Sequence, residues 1–335
     1  MTATTVPANT APPAHSRTLL DNPWVGFAIR RGRRLLASLW VLVTASFLMI
    51  HLIPGDPVRA ALGAMAPQEL VQARREALGL NDSLWAQYWH YLQHLATGDW
   101  GTSIATDVPV TQTIADRLPA TVEIAAFAFI VTLLVSVPLG VMMAALTRGG
   151  RRRRTELAFT SSSVVTAAIP DFLLAVGLVY VLGVSLGWLP VAGRSGPSSF
   201  VLPVLCLAVG PTAVLARIVR VEMLTVLEAD FVRTARAKRL PAWVVYLRHA
   251  LPNAMTTTLT VGGLMLGGLV AGTVLVENVL AWPGLGSTIV SSILAKDYPV
   301  VQGIVLVYGL GVLAINLIVD VVLAVIDPRS AIRES

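Results

Sequence analysis

Apolar and polar residues along this 335-residue chain fall into long blocks, not into the short alternations of a water-soluble fold. Apolar runs cover residues 35–53, 119–147, 157–187, 200–224, 253–276 and 300–326. Each supplies about 19 or more mostly apolar residues, enough to cross the ~30 Å hydrocarbon core of a bilayer at ~1.5 Å per helical residue. The pattern predicts an all-α integral membrane protein with about six transmembrane helices.

Between the first two runs, residues 54–118 read as a small helical insert. Pro67 opens a helix over 68–78 that Gly79 stops. Asp82 is placed to cap a second helix, in which Leu84, Tyr88, Tyr91, Leu92 and Leu95 share one face and Gly98 ends the run. His90 and His94 stand at i, i+4, a spacing that suits a metal. No Glu completes an HExxH pattern and no third ligand is near, so with Trp85 and Trp89 beside them they read as packing or interfacial residues.

Composition agrees with the blocks. Charged residues make up 13% of the chain and mean hydropathy is +0.71, against about 25% charged in soluble domains. The net charge of +6 raises the question of nucleic acid, and its placement answers it. With the N-terminus in the cytoplasm, segments 1–34, 148–156, 217–249 and 327–335 are inside and hold 19 of the 25 Lys and Arg. The outer segments 54–118, 188–199 and 277–299 hold 6, which is the positive-inside asymmetry with both termini cytoplasmic. Membrane lipid, not nucleic acid, accounts for the basic balance. Residues 1–29 read as a disordered tail and 30–335 as one membrane domain. The Arg30–Arg34 cluster before 35–53 looks like a signal peptide, but the run is too long and no cleavage pattern follows, so it reads as a retained first helix. Cys206 stands alone inside a span and reads as packing.

A few residues stand out within the spans. Pro170-Asp171 near the middle of the third predicts a kink and places a carboxylate at membrane depth. Either Asp171 lines a gate or pathway, or it bonds inside the bundle. Glu277 and Asn316, with Glu123 and Asp320, are weaker candidates because they sit near span ends, where solvation is cheap. Gly262, Gly263, Gly267, Gly268 and Gly272 read as a close-packing face of the fifth span. Neither Lys238 nor Lys296 follows Gly, so the chain has no GxxxxGK[ST] phosphate loop. Residues 217–252 form the longest inner loop, and the stretch Glu228–Leu240 lacks Pro and Gly. It predicts a short amphipathic helix across the cytoplasmic face, stopped by Pro241.

That loop resembles the permeases of binding-protein-dependent ABC importers. Their pattern is Glu-Ala-Ala, three residues, Gly, nine residues, Ile-x-Leu-Pro. Here it reads Arg233-Thr234-Ala235, three residues, Arg239, nine residues, His249-Ala250-Leu251-Pro252. The string FVRTARAKRL at 231–240 is similar to the YVRTARAKGL of the dipeptide/oligopeptide/nickel branch, with Arg239 in place of the family's Gly. His51-Leu52-Ile53-Pro54-Gly55-Asp56-Pro57, Gly98-Asp99-Trp100-Gly101, Trp282-Pro283-Gly284-Leu285-Gly286 with Asp297-Tyr298-Pro299, and Asp327-Pro328-Arg329 follow the same order. The insert after the first span resembles that of the first, or B-type, permease.

The resemblance implies a bacterial inner-membrane subunit that forms half of a translocation pathway. Its implied partners are a homologous second permease, two ATP-binding subunits carrying ATP and Mg, and an extracytoplasmic substrate-binding protein. It implies no cofactor or catalytic residue in this chain, and peptides as cargo, with nickel or another small solute as the alternative. Asp230, Arg233, Thr234, Ala235, Arg236, Lys238, Arg239, Leu251 and Pro252 are the implied ATPase-coupling residues, Ala235 giving close approach to the partner. Pro170, Asp171, Glu277 and Asn316 are the pathway or gate candidates. An ion-coupled secondary transporter fits less well, because no internal repeat is visible. An intramembrane Ser–His enzyme built on Ser161-Ser162-Ser163 lacks a His at membrane depth.

Overall fold

The computed structural model describes residues 23–52, 57–63, 65–77 and 79–326. In chain order the helices are α1 (Pro23–Leu52), α2 (Pro57–Leu62), α3 (Gln68–Ala77), α4 (Leu84–Thr97), α5 (Val110–Thr147), α6 (Arg153–Ala168), α7 (Asp171–Leu178), α8 (Val201–Val226), α9 (Asp230–Ala237), α10 (Ala242–Val244), α11 (Leu251–Val279), α12 (Leu285–Leu294) and α13 (Tyr298–Ile326). α7 continues as π-helical turns over Val179–Ser185, and a second π-helical stretch, Val245–Ala250, joins α10 to α11. Residues 23–29, expected to be tail, are already helical. The remainder of that tail, residues 53–56 of the first motif, and Asp327-Pro328-Arg329 lie outside the described residues.

Among the described residues five helical stretches are long and apolar enough to cross a membrane: Ala28–His51, Val110–Gly150, Pro197–Val226, Ala242–Val279 and Tyr298–Val325. The third predicted span is α6 and α7 together, and here the structure corrects the sequence reading. The span is not kinked but broken, with a 94° bend. Ile169 (φ −76°, ψ 121°) and Pro170 (φ −61°, ψ 138°) are both extended. Proline pushes the residue before it out of the helical region and offers no N–H of its own, so a break at this dipeptide follows.

α8 is the central helix. It packs along α5, where Gly140 sets the approach: a Cβ there would meet the Ala216 carbonyl oxygen at 2.7 Å. At one end of the bundle Ile124, Ala128, Leu202, Leu207, Val276 and Trp282 form the core. Cys206, fully buried with its thiol free, belongs to the same cluster, as its packing role requires.

The insert lies at this end. Ser83, not Asp82, caps α4, its hydroxyl accepting from the Ala86 N–H, and Gly98 closes the helix at φ 78°. α4 is pinned to α1: the Thr44 and Tyr88 hydroxyls are 2.9 Å apart, Phe47 meets Tyr88 edge-on and Tyr91 at a tilt, and His51 bonds Gln87 at 2.9 Å. His94 pairs with Asp99 at 3.1 Å and His90 lies 3.9 Å from Asp82. Among the described residues no cluster of three or more His, Cys, Asp or Glu could hold a metal. The Gly101 N–H and His94 hold the Asp99 carboxyl below its ordinary range.

Candidate functional site: the loop between α8 and α11

At the end of the bundle opposite the insert, α8 leaves the core at Leu227 and the chain turns into α9. Asp230 in its first turn suits the positive end of the helix dipole. Pro241 does not end α9, contrary to the sequence expectation; the helix is over three residues earlier. The Arg239 N–H bonds the Arg236 carbonyl at 2.8 Å and the Leu240 N–H bonds the Ala235 carbonyl at 3.4 Å. This pair of bonds is a Schellman cap, which requires a left-handed residue at the position Arg239 occupies. Arg239 has φ 55°. The residue that departs from the family's Gly therefore adopts the conformation that Gly adopts without cost.

α9 is two-faced. Val232 and Ala235 are buried, packed with Ala144, Val219, Met223, Leu227, Val245, Ala250 and Ala254, and Leu240 and Leu251 pack on the edge of that cluster. The seat is apolar on both sides, and burying a side chain the size of Val is worth roughly 1.5–3 kcal/mol. Ala235 thus faces the chain's own core, which corrects its reading as the point of close approach to a partner. The outward face carries Asp230, Phe231, Arg233, Thr234, Lys238 and Arg239, all exposed, with Trp243 beyond the turn. Arg233 pairs with Asp230 at 3.1 Å on this wet face, where such pairs contribute little. Arg236 is half-buried at the edge, and Pro252 is exposed in the first turn of α11.

Sequence reading missed Arg220. It is 7% exposed, its Nε donates to Thr147 Oγ1 at 3.0 Å, and its Nη2 meets Glu156 Oε1 at 2.6 Å. One side chain thereby ties α8 to the end of α5 and the start of α6, directly beside the α9 seat. The available signal was its register: Leu215, Ala216, Val219 and Met223 mark the buried stripe of α8, and Arg220 follows Ala216 by four residues on that stripe.

The pathway candidates do not converge. Asp171, the first residue of α7, lies half-buried between α8 and α11. A Cβ on Gly210 would be 3.7 Å from its Oδ1 and one on Gly272 would be 3.3 Å from its Oδ2. Pro170, the N-cap of α7, places it there. Asn316 of α13 faces Gly267 on another side of α11. Glu277 is fully buried, not solvated as its place near a span end suggested. Its Oε2 accepts from the N–H groups of Gly286 (2.7 Å) and Ser287 (3.3 Å), capping α12. Trp282, also fully buried, donates Nε1–H to the Ala120 carbonyl at 3.0 Å. Asp297 accepts from Ser103 and from the Ile104 N–H, tying the end of the insert to α13. The motifs of this end are therefore a structural lock joining α5, α11, α12 and the insert. Nearby, Arg194 grips both carboxylate oxygens of Glu123 (2.7 and 3.0 Å) and lies over the Phe200 and Trp282 rings.

A broken-span helical bundle with an amphipathic loop helix seated between two of its spans defines the class, a transport permease. The model of the family "binding-protein-dependent transport system inner membrane component" matches residues 136–332, and the N-terminal component of the same systems matches residues 24–125. The chain belongs to this family, the membrane permease components of ABC importers. It is 36% identical over 304 residues to the glutathione transport system permease protein GsiC of Escherichia coli (strain K12), and equally to that of Salmonella typhimurium (strain LT2). Each match covers 91% of this chain and 98% of the relative. An inward-facing structure of the MetNI methionine ABC transporter shares the fold, with TM-score 0.52 and 18% identity over 65% of this chain and 97% of that one.

Proposed function

We propose that this chain is the B-type permease of an ATP-driven peptide importer of the bacterial inner membrane. It works there with a homologous second permease, two ATP-binding subunits and an extracytoplasmic binding protein. Its α9 face is the surface that receives force from an ATP-binding subunit. The observation that carries the coupling role is the two-faced seating of α9. Its inner face is packed on α8 and the start of α11, while its outer face presents Phe231, Arg233, Lys238 and Trp243. A push on that outer face passes through packed side chains to two membrane spans at once. The relatives named for glutathione, itself a peptide, support the cargo class. The charge asymmetry supports placing the α9 end in the cytoplasm.

The test is reconstitution of the complete complex in proteoliposomes with its binding protein. ATP-dependent uptake of a radiolabelled peptide, abolished when the ATP-binding subunits are left out, is the expected result. Uptake that proceeds without them overturns the importer reading, and uptake of nickel but of no peptide overturns the cargo.

A further inference from the structure

Among the four helices around the break in the third span, α6, α7, α8 and α11, lies an acidic side chain without a described partner. Asp171 sits at the N-terminus of α7 beside two glycines, and at Gly272 a Cβ would press on the carboxylate at 3.3 Å, whereas at Gly210 it would make ordinary contact. Gly210 is nine residues in from the start of α8 and Gly272 seven from the end of α11, so the carboxylate lies about 10–14 Å below the insert end of the bundle, at membrane depth. None of the described hydrogen bonds or ion pairs involves it. Residues 155–193, 195–216 and 249–295 contain no Lys or Arg, and the arginines of α6 (Arg153, Arg154) and α8 (Arg217, Arg220) lie towards the other end of those helices. Arg194 is held by Glu123, Arg220 by Glu156 and Arg31 by Asp320. The other buried acid of this region, Glu277, spends its Oε2 on the α12 cap. An ionisable group at membrane depth faces the bundle interior or a water-filled path, and the ends of broken helices mark substrate sites in transporters.

We infer that Asp171 is a cargo-binding residue of the translocation path, receiving the primary ammonium group of a passing peptide where the start of α7 meets α8 and α11. The inference rests on the peptide-importer reading above. Gly210 and Gly272 put no side chain of their own over the carboxylate, which is half-buried beside them. The contact is single and half-solvated, which suits a group that must release cargo as well as hold it.

The experiment compares wild type with Asp171→Asn and Asp171→Glu in the complete complex with saturating binding protein, following ATP-dependent uptake of a dipeptide with a free amino terminus. Asn keeps the shape and removes the charge, whereas Glu keeps the charge. Asp171→Asn is expected to lower uptake roughly tenfold, the worth of one charged contact, with basal ATP hydrolysis and subunit copurification unchanged, and Asp171→Glu to recover most of it. Wild-type uptake by Asp171→Asn overturns the inference, as does equal loss in both variants, which marks a role of shape. Loss of the second permease on copurification of Asp171→Asn also overturns it, because the carboxylate is then a subunit contact. Absence of any peptide uptake by the wild-type complex removes the cargo reading and the inference with it.

Discussion

Arg220 of α8 meets Glu156 of α6 at 2.6 Å while the same guanidinium holds Thr147 at the end of α5. The pair is unequal in solvation, with side-chain exposures of 8% for Arg220 and 36% for Glu156. Removing the acid leaves a buried cation without its partner, the costly direction. Glu156→Gln is expected to destabilise the detergent-solubilised chain by about 1–3 kcal/mol, the upper part of the range for buried pairs being discounted for the solvent around Glu156. Thermal unfolding followed by far-UV circular dichroism checks it, and an unchanged midpoint would show that the clamp contributes nothing.

The left-handed turn after α9 makes an opposite prediction at Arg239. A non-glycine residue at φ 55° costs about 1–2 kcal/mol relative to one that adopts the region freely. Arg239→Gly is therefore expected to stabilise the loop by up to about 1 kcal/mol, and Arg239→Val, β-branched, to weaken it by more than Gly gains. Limited proteolysis of residues 228–242 in the assembled complex reads both. A slower-cut valine variant would refute the cap.

Ala235 and Arg233 separate seating from docking. Ala235 is 6% exposed among its own chain's apolar side chains, so Ala235→Trp is expected to unseat α9, lowering thermal stability together with transport. Arg233 stands on the wet face, and Arg233→Glu combined with Lys238→Glu should leave the unfolding midpoint unchanged while reducing cargo-stimulated ATP hydrolysis several-fold. If the double reversal leaves stimulation intact, the outward face of α9 is not the contact with the ATP-binding subunit.

The lock at the insert end is sensitive to a single methyl group. A Cβ on Gly286 would lie 2.5 Å from the Val274 Cα and 2.9 Å from Glu277 Oε2. Backbone is on one side and a buried carboxylate on the other, so neither can yield cheaply. Gly286→Ala is expected to cost about 1–3 kcal/mol, whereas Gly268→Ala on α11, with open space around its Cβ position, should be neutral. Equal melting behaviour of the two variants would contradict the packing at Gly286.

Membrane architecture was legible in the residue pattern because the bilayer imposes a length on every apolar run, and each run must satisfy its own backbone as a helix. The α9 loop was legible because its family motif is local: Arg233 to Pro252 are close in the chain, and their spacing survives even where Arg239 departs from the family. The turn at Arg239 was not legible. Its identity argued against the left-handed conformation, and only the two cap hydrogen bonds show that tertiary seating of Val232 and Ala235 holds it there.

Contacts across the bundle were beyond the sequence for a different reason. Arg220 with Glu156 are 64 residues apart and Ser103 with Asp297 are 194 apart, and nothing local in either partner specifies the other. Burial likewise turned Glu277 from a solvated span-end acid into the cap of α12, and turned Ala235 inward. The sequence by itself determined that this protein crosses a membrane with about six helices, where its basic residues lie, and to which transport family it belongs. Pro170 marks in the sequence where the third span bends, but only the tertiary structure decided that the bend is a 94° break, because so sharp a turn needs α8 and α11 to receive α7. It also decided that Asp171 lies beside Gly210 of α8 and Gly272 of α11, because both glycines are far from it in the chain.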